Sequence, residues 1–533
     1  MKIIIPDPLP ASAITLLESE GWNVDAKDGR SQEELLRDVA DADALIVRSA
    51  TKVTPEIIDA TSHLRVIGRA GTGVDNVDLA SASKKGILVI NAPGANSISV
   101  AEHAFALMLS SARSIPQADA QMKAAIWDKK AFRGSELRDK TLGIIGFGRI
   151  GREVAQRAQA FDMNVVAHDP FVTSQAADKA GIELVGLEDL AQRSDFVTLH
   201  LPSTAQTKQL IDTSFLSRCK NTVQIINTAR GDLIDEDALA KAIHEGRIGG
   251  AALDVYQSEP PGVDSIATTP GIVATPHIAA STNEAQELVG LETATAVRDY
   301  LKAGVVRNAV NYSSVGPEQY KLIKPYLVLA ERMASLLAQL TVSRIEGLGI
   351  RYYGPLADGD NEMIVGSAVV GLFRHILSSS VSLVNARPLA EQRGLEIIES
   401  RSTRPRNFTH LISLKLHTSE GEHWAEGTVF EPDRPRIVRL DDVEVEVPLT
   451  GTLIIIKNED RPGVIGEVGS VLGRHGINIS SFSLGRSDNG AVGVVRVSEH
   501  LGAEPAAPQQ INSQILGELE SIKAVQSVRL VGI

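Results

Sequence analysis

The segment Gly146-Phe147-Gly148-Arg149-Ile150-Gly151 constrains the fold of this chain more than any other stretch. It lies between a short apolar run at 141–145, which has strand character, and apolar residues that recur at helical spacing through 154–161. A G-x-G-x-x-G pattern between a strand and a helix is typical of a dinucleotide-binding fingerprint. Gly146 would permit the tight turn, Gly148 would let a pyrophosphate approach the backbone, and Gly151 would let the helix pack on the strand. The sequence therefore predicts a Rossmann-type domain here.

An acidic residue follows the next predicted strand. The apolar run 164–167 leads into His168 and Asp169, eighteen residues beyond Gly151. A carboxylate at this position suits the ribose 2′-hydroxyl of NAD and would repel the 2′-phosphate of NADP. We therefore expect NAD to be the cofactor.

The composition limits the classes of protein to which this chain can belong. Its 533 residues are enough for roughly three or four domains. A net charge of −13 opposes a general affinity for nucleic acid or for an anionic membrane. Cys219 is the only cysteine, which excludes an intramolecular disulfide and a cysteine-based metal site and fits a reducing cytoplasm. No apolar run approaches the ~20 residues of a membrane span. We expect a cytoplasmic protein that binds no metal, nucleic acid or membrane.

Strand and helix patterns alternate ahead of the fingerprint, through residues 1–95. Such alternation indicates a parallel sheet in an α/β domain of its own. The predicted helix 286–302 crosses back to this domain and makes it discontinuous. The end of the chain has the order β-α-β-β-α-β of a ferredoxin-like fold. The predicted fold class is α/β, with two doubly wound parallel-sheet domains, an α+β domain and a ferredoxin-like domain, at 1–97 with 283–310, 98–282, 317–448 and 451–533.

Two arginines follow strands of the first predicted domain. Arg48 comes after the apolar run 44–47, and Arg69 comes after 66–68. Because open α/β sheets bind ligands beyond the carboxyl ends of their strands, both are candidates for holding an anionic substrate. From position alone, a pair of solvated loop arginines explains them equally well. A basic stretch around Trp127 is interpreted as solvated surface.

Three residues after the fingerprint form a catalytic hypothesis. Arg230, Glu259 and His277 follow successive predicted strands. Oxidation of a 2-hydroxy acid delivers a proton to a base, and histidine suits that role because its ordinary pKa lies near neutrality. A carboxylate such as Glu259 would fix the ring tautomer, and an arginine would hold the substrate carboxylate bidentately. Considered by itself, His277 is better explained as a structural residue. Because it occurs together with Arg230 and Glu259 beside a predicted NAD site, we assign it to catalysis.

These residues resemble those of the D-isomer-specific 2-hydroxyacid dehydrogenases. The similarity spans about residues 1–310 and rests on four motifs: Arg69-Ala70-Gly71-Thr72-Gly73-Val74-Asp75-Asn76, the fingerprint, Asn227-Thr228-Ala229-Arg230-Gly231 and Thr275-Pro276-His277. Residues 317–448 resemble the intervening domain of the long members of this family. The C-terminal unit resembles an ACT domain, through Asn458-Glu459-Asp460-Arg461-Pro462-Gly463-Val464 and Gly476-Ile477-Asn478-Ile479.

The resemblance implies a role for each matching residue. His277 would be the acid–base group, assisted by Arg230 and Glu259. The substrate would be met by Arg48, Arg69, Gly71, Arg230 and His277. NAD would be contacted by Gly146, Gly148, Arg149, Ile150, Gly151, Asp169, Thr228, Ala229, Arg230, Asp254 and His277.

The resemblance also implies partners. The long members oxidise 3-phosphoglycerate, in the first step of serine biosynthesis. Serine would bind the ACT-like unit at Asn458, Asp460 and Asn478, between paired units. The family forms homo-oligomers, here a dimer or a tetramer, and often brings a basic side chain to a neighbouring active site. Lys129, Lys130 and Arg133 lie in the matching region, and the sequence does not choose among them.

Two alternatives stay open at this point. The chain could oxidise an unphosphorylated acid such as glycerate. It could instead be an NAD-sensing binding protein on the same fold, because such proteins also keep the arginine, the glutamate and the histidine. The acidic net charge and the ACT-like unit favour the enzyme.

Overall fold

The structure is a computed structural model that describes residues 1–312, 317–341, 343–359, 361–377, 381–402, 404, 406–431, 434–487, 490–497 and 511–533. Its first sheet has five parallel strands in the order β2-β1-β3-β4-β5. The elements are β1 Lys2–Ile5, α1 Ala11–Glu18, β2 Asn23–Ala26, α2 Gln32–Asp38, β3 Ala44–Val47, α3 Pro55–Ala60, β4 Val66–Arg69, α4 Leu79–Lys84 and β5 Leu88–Asn91. The predicted parallel sheet is confirmed. Strand β2 escaped prediction because none of its side chains is buried, so it has no apolar run.

The second sheet contains the fingerprint. Its seven strands are all parallel, in the order β12-β11-β10-β9-β6-β7-β8, and separate hydrophobic clusters cover its two faces. This is the predicted doubly wound arrangement. The elements are α5 Ser97–Arg113, α6 Ile115–Lys123, β6 Thr141–Ile145, α7 Arg149–Ala160, β7 Asn164–His168, α8 Ser174–Asp178, β8 Glu183–Leu184, α9 Leu187–Arg193, β9 Phe196–Leu199, α10 Thr213–Arg218, β10 Gln224–Asn227, α11 Glu236–His244, β11 Gly250–Leu253 and β12 Ile272–Ala274.

The chain passes between these two sheets twice. Helix α5 carries it from the first sheet to the second, and α12 (Asn283–Ala303) carries it back to pack on α1 and β4. Thr282 caps α12 by accepting a hydrogen bond from the backbone N–H of Ala285. Its hydroxyl also lies 2.7 Å from the hydroxyl of Ser99 on α5. We therefore propose that residues 1–97 and 283–310 form one domain.

The third sheet belongs to the region between 317 and 448. Its order is β14-β13-β15-β16-β17-β18, with β13 and β14 parallel and the other pairs antiparallel. The two longest helices of this region, α13 and α14, pack on each other and α13 covers the sheet. The elements are α13 Pro317–Leu340, β13 Ile345–Tyr353, α14 Glu362–Phe373, α15 Ala386–Gln392, β14 Glu396–Ser402, β15 Leu411–Thr418, β16 Gly421–Val429, β17 Pro435–Leu440 and β18 Val443–Pro448.

The C-terminal unit has the predicted β-α-β-β-α-β order. Its sheet is antiparallel, in the order β20-β21-β19-β22. The elements are β19 Thr452–Asn458, α16 Val464–Arg474, β20 Ile479–Ser487, β21 Gly490–Val497, α17 Ser513–Glu520 and β22 Val525–Gly532. The outer strand β20 lies against β18, where the Ser483 hydroxyl donates to the Glu446 carbonyl at 2.7 Å. Across the described part of the chain, no helix is long and apolar enough to cross a bilayer.

Candidate active site

The functional groups of the second sheet lie along one edge because all its strands are parallel. The carboxyl ends of β6, β7, β10, β11 and β12 lead into the fingerprint, Asp169, Thr228, Asp254 and Thr275 respectively. This edge is the ligand-binding edge of an open α/β sheet.

The fingerprint has the geometry that a pyrophosphate requires. Gly146 has a φ of +94°, and a β-carbon there would lie 2.4 Å from the carbonyl oxygen of His200. A β-carbon on Gly151 would lie 2.2 Å from the Gly146 carbonyl oxygen, whereas one on Gly148 would meet open space. That space adjoins the start of α7, whose unpaired backbone N–H groups favour an anion. Arg149 reaches back from α7 to donate to the carbonyl of Pro93, beside the first sheet.

The remaining residues of this edge also fit NAD. The Asp169 carboxylate accepts from the backbone N–H of Phe147 at 2.8 Å and of Phe171 at 2.9 Å, which fixes it beside the fingerprint. The Thr228 hydroxyl is buried without a hydrogen-bond partner among the described residues, so it is left for a ligand. Burial lowers the pKa of His200 to about 3, so this histidine is neutral at physiological pH.

The structure brings His277 and Glu259 together. The Nδ1 atom of His277 lies 2.6 Å from Oε2 of Glu259. The other carboxylate oxygen accepts from the backbone N–H of Tyr256 at 3.1 Å, which orients the glutamate. Half of the His277 side chain is exposed, and its backbone is left-handed, at φ +54°. Its second ring nitrogen is thus available to exchange a proton with a substrate.

Asp254 organises the segment that carries His277. Its side chain is fully buried and accepts hydrogen bonds from the Thr275 hydroxyl at 2.6 Å and from the backbone N–H groups of Ile278 and Ala279 at 2.9 and 2.8 Å. His103 on α5 lies 3.4 Å from the same carboxylate. Burial alone would raise the pKa of Asp254, but these hydrogen bonds lower it on balance. Both carboxylate oxygens are engaged by the protein, so the predicted contact of Asp254 with NAD stays a prediction.

Three arginines, Arg48, Arg69 and Arg230, lie close together where the first and second sheets meet. Burial and the positive charges of Arg230 and Arg48 lower the pKa of Arg69 to about 10, so it is still a cation at neutral pH. The guanidinium of Arg69 lies across Gly71, where a β-carbon would be 1.4 Å from Nη1. Arg230 reaches across from the second sheet and pairs with Asp75 at 3.1 Å. Arg48, Arg69, Gly71 and Arg230, predicted for substrate binding, are thus neighbours.

Sequence reasoning missed the residues that hold these arginines. Asp7 is buried and accepts from the backbone N–H of Arg48 at 2.5 Å and from the Thr51 hydroxyl at 2.7 Å. Asn76 donates to the carbonyls of Arg48 and Thr51, both at 2.6 Å. Asp75 and Asn76 belong to the motif at 69–76, so the sequence offered a way to find them. Asp7 lies in no motif, and the sequence gave no indication of its role.

The candidate residues for a neighbouring site are exposed. Lys129, Lys130 and Arg133 follow α6, which buries none of its own side chains. Trp127 beside them is 78% exposed.

A cavity of about 360 Å³ lies in the C-terminal unit, lined in part by Asn458, Asp460 and Arg461. Asn458 is buried, and Asp460 lies 3.3 Å from Arg486, which sequence reasoning missed. Asn478 directly precedes β20, is exposed and does not line this cavity. Within one copy, only two of the three predicted effector residues are therefore together. Among the described residues, no group of three or more His, Cys, Asp or Glu could hold a metal ion.

The fold and the site define an NAD-binding dehydrogenase of 2-hydroxy acids, and comparisons with known proteins agree. Residues 105–279 match the NAD-binding domain of D-isomer-specific 2-hydroxyacid dehydrogenases, residues 322–441 match the D-3-phosphoglycerate dehydrogenase intervening domain, and residues 452–510 match the ACT domain. The solved structure of D-lactate dehydrogenase from Aquifex aeolicus complexed with NAD and lactic acid covers 59% of this chain and 100% of its own, with 28% identity and a TM-score of 0.52.

Full-length relatives narrow the class. The chain is 42% identical to the D-3-phosphoglycerate dehydrogenase of Archaeoglobus fulgidus, over 93% of this chain and 94% of that protein. It is 40% identical to that of Methanocaldococcus jannaschii, over 99% and 100% respectively. The chain belongs to the D-3-phosphoglycerate dehydrogenase family.

Proposed function

We propose that this protein oxidises D-3-phosphoglycerate to 3-phosphohydroxypyruvate with NAD, as the first step of serine biosynthesis in the cytoplasm. The proposal rests on two observations: Arg48, Arg69 and Arg230 lie close together between the two sheets, and His277 is paired with Glu259. We infer that the substrate lies between this acid–base pair and the three cations, at the ligand-binding edge of the NAD-binding sheet.

Each residue has a defined task in this reaction. When bound, NAD supplies the nicotinamide that accepts hydride from C2. His277 takes the proton of the 2-hydroxyl group, and Glu259 stabilises the imidazolium that results. Arg230 holds the carboxylate and polarises the 2-oxygen through its planar fork. Two arginines remain for the phosphate, Arg48 and Arg69.

The arginine count favours a phosphorylated substrate over glycerate. A carboxylate alone needs one bidentate arginine. The additional cations lie in a protein of net charge −13, so the local positive charge serves a strongly anionic ligand. The Asp75 carboxylate, which pairs with Arg230, must give way to the substrate.

A steady-state comparison tests this function. Purified protein is assayed with NAD and either 3-phosphoglycerate or D-glycerate, and NADH formation is followed. We expect kcat/KM to be at least about a hundredfold higher for the phosphorylated acid, since two charge-assisted contacts are at stake. Similar values would identify a glycerate dehydrogenase. NAD binding without turnover of either acid would identify an NAD-sensing binding protein.

We further propose that the protein assembles into a dimer or tetramer. The unburied helix α6 and the exposed Trp127 would be covered by a second copy, and Lys129, Lys130 or Arg133 would then reach the neighbouring phosphate. Mixing a His277→Ala protein with a Lys129→Ala/Lys130→Ala/Arg133→Ala protein tests this. Mixed dimers would pair the intact chemistry of one chain with the intact cations of the other and recover activity. No recovery would place the phosphate contact within one chain.

We also propose that serine inhibits by binding the ACT domain. Asp460 and Asn458 would hold the ammonium and carboxylate groups in the cavity of about 360 Å³, and Asn478 would join them from a paired copy. Asp460→Ala should weaken serine inhibition with little change in uninhibited turnover. Calorimetry that detects no serine binding to the intact protein would show that this cavity has another ligand or none.

A further inference from the structure

A second and larger cavity separates the first domain from the intervening domain. Its volume is about 610 Å³, which is the size of a small-molecule site. One wall is formed by residues 61–65 and Tyr300, and the other is formed by α13 and α14. The cavity shares no lining residue with the NAD edge or with the ACT domain cavity.

The cavity carries positive charge that is not neutralised. Arg65 and Lys324 lie on its opposite walls. Neither side chain forms a hydrogen bond or an ion pair with the residues that the structure describes. The guanidinium of Arg65 is held over the Tyr300 ring, 5.7 Å from its centre. Glu331 also lines the cavity, but it is paired with Arg374.

The other cation of the cavity is already satisfied. Lys85 donates to the carbonyls of Ile58, Asp59 and Thr61 at 2.6, 2.8 and 2.7 Å. Lys85 therefore caps the C-terminal end of α3, and its ammonium group is not available to a ligand. The charge available to an occupant comes from Arg65 and Lys324.

Part of the lining is apolar. Leu327 on α13, Val370 on α14 and Leu383 line the cavity. We propose that this cavity binds a small organic anion. Its carboxylate or phosphate lies between Arg65 and Lys324, and its apolar part packs on Leu327 and Val370. This inference does not depend on the proposed reaction.

A ligand in this cavity would contact both the first domain and the intervening domain. Arg65 belongs to the first domain and Lys324 to the intervening domain, so one anion joins the two. Arg65 directly precedes β4, and Arg69 of the substrate site ends the same strand. Four residues of extended strand span about 13 Å. The two sites are therefore separate but connected by one buried strand.

Calorimetric titration of the full-length protein with phenyl phosphate tests the proposal, because this probe combines an anion with an apolar ring. Benzyl alcohol serves as the uncharged counterpart. The variants are Arg65→Ala/Lys324→Ala, Arg69→Ala for the substrate site, and Lys321→Ala as a matched control, since Lys321 is exposed on the same helix and pairs with Glu318.

We expect the double variant to bind phenyl phosphate at least about tenfold more weakly, as the loss of charge-assisted contacts requires. Lys321→Ala and Arg69→Ala should retain this binding, and benzyl alcohol should bind poorly. Unchanged affinity in the double variant, or loss of binding only in Arg69→Ala, would overturn the proposal. Equal binding of benzyl alcohol would show an apolar cavity without anion selectivity. If the double variant does not fold, Lys324→Gln repeats the test with one exposed charge removed.

Discussion

Replacing Asp254 by Asn should destabilise the segment that bears His277. The carboxylate accepts from the Thr275 hydroxyl and the Ile278 N–H on one oxygen and from the Ala279 N–H on the other. Whichever way the new amide turns, its NH₂ group faces at least one buried backbone N–H. The loss of a hydrogen bond to a buried charge costs about 1.5–3 kcal/mol.

This cost translates into two measurable changes. At about 2–4 °C per kcal/mol for a domain of this size, the calorimetric midpoint of the NAD-binding domain should fall by about 3–12 °C. Because His277 directly precedes Ile278, kcat for 3-phosphoglycerate should fall by about tenfold or more, the factor that corresponds to 1.4 kcal/mol.

A matched control lies in the same domain. Asp212 accepts from the Phe215 N–H at 2.8 Å as the N-cap of α10, and Asn caps helices as well as Asp does. Asp212→Asn should therefore leave the midpoint and kcat almost unchanged. The reasoning would be refuted if Asp254→Asn matched wild type in both measurements.

The same variant should alter the response to acid. The hydrogen bonds hold the pKa of Asp254 below its ordinary value. A carboxyl group with a lowered folded-state pKa stabilises the protein fully above its unfolded value of about 3.9, and this stabilisation is lost as the pH falls through the folded-state pKa. The difference in thermal midpoint between wild type and Asp254→Asn should thus narrow below about pH 4. A constant difference down to strongly acid pH would contradict this.

Four further predictions concern the active site. Glu259→Gln should lower kcat by about tenfold with NAD affinity kept, because a charge-assisted hydrogen bond to His277 is lost; an unchanged kcat would remove Glu259 from catalysis. Arg69→Ala should raise the KM for 3-phosphoglycerate by about ten- to a hundredfold but not that for NAD, whereas equal rises would indicate structural damage. Asp75→Asn should lower the KM for 3-phosphoglycerate by up to about fivefold, since an exposed ion pair is worth at most about 1 kcal/mol; a higher KM would show that Asp75 helps binding. Asp169→Ala should erode the preference for NAD over NADP in kcat/KM, and equal use of both cofactors by wild type would disprove the assignment.

The sequence predicts the parts of this molecule that local pattern controls. The fingerprint at 146–151 carries its own strand and helix, so its fold and geometry follow from six residues and their neighbours. The sequence alone does not decide whether Arg48 and Arg69 bind the substrate, because a position at a strand end does not determine where the side chain lies. Their association becomes visible only when β3 and β4 are paired in register.

What the sequence could not predict depends on contacts between distant segments. The pairing of Arg230 with Asp75 joins residues from two sheets. The cavity between Arg65 and Lys324 exists only because α13 docks on the first domain. The docking of β20 on β18 pairs two sheet edges that have no sequence signature. In each case, tertiary packing rather than periodicity decides the outcome.

The double crossing between the first two sheets determines how the active site can open. The two connections meet at Ser99 and Thr282, whose hydroxyl groups lie 2.7 Å apart. We therefore expect the cleft to open by rotation of the two sheets about this contact, which is a hinge motion. In such a rotation, the His277–Glu259 pair would move with the second sheet and Arg69 would move with the first sheet. The Arg230–Asp75 ion pair joins the two sheets, so we expect this ion pair to break when the substrate enters.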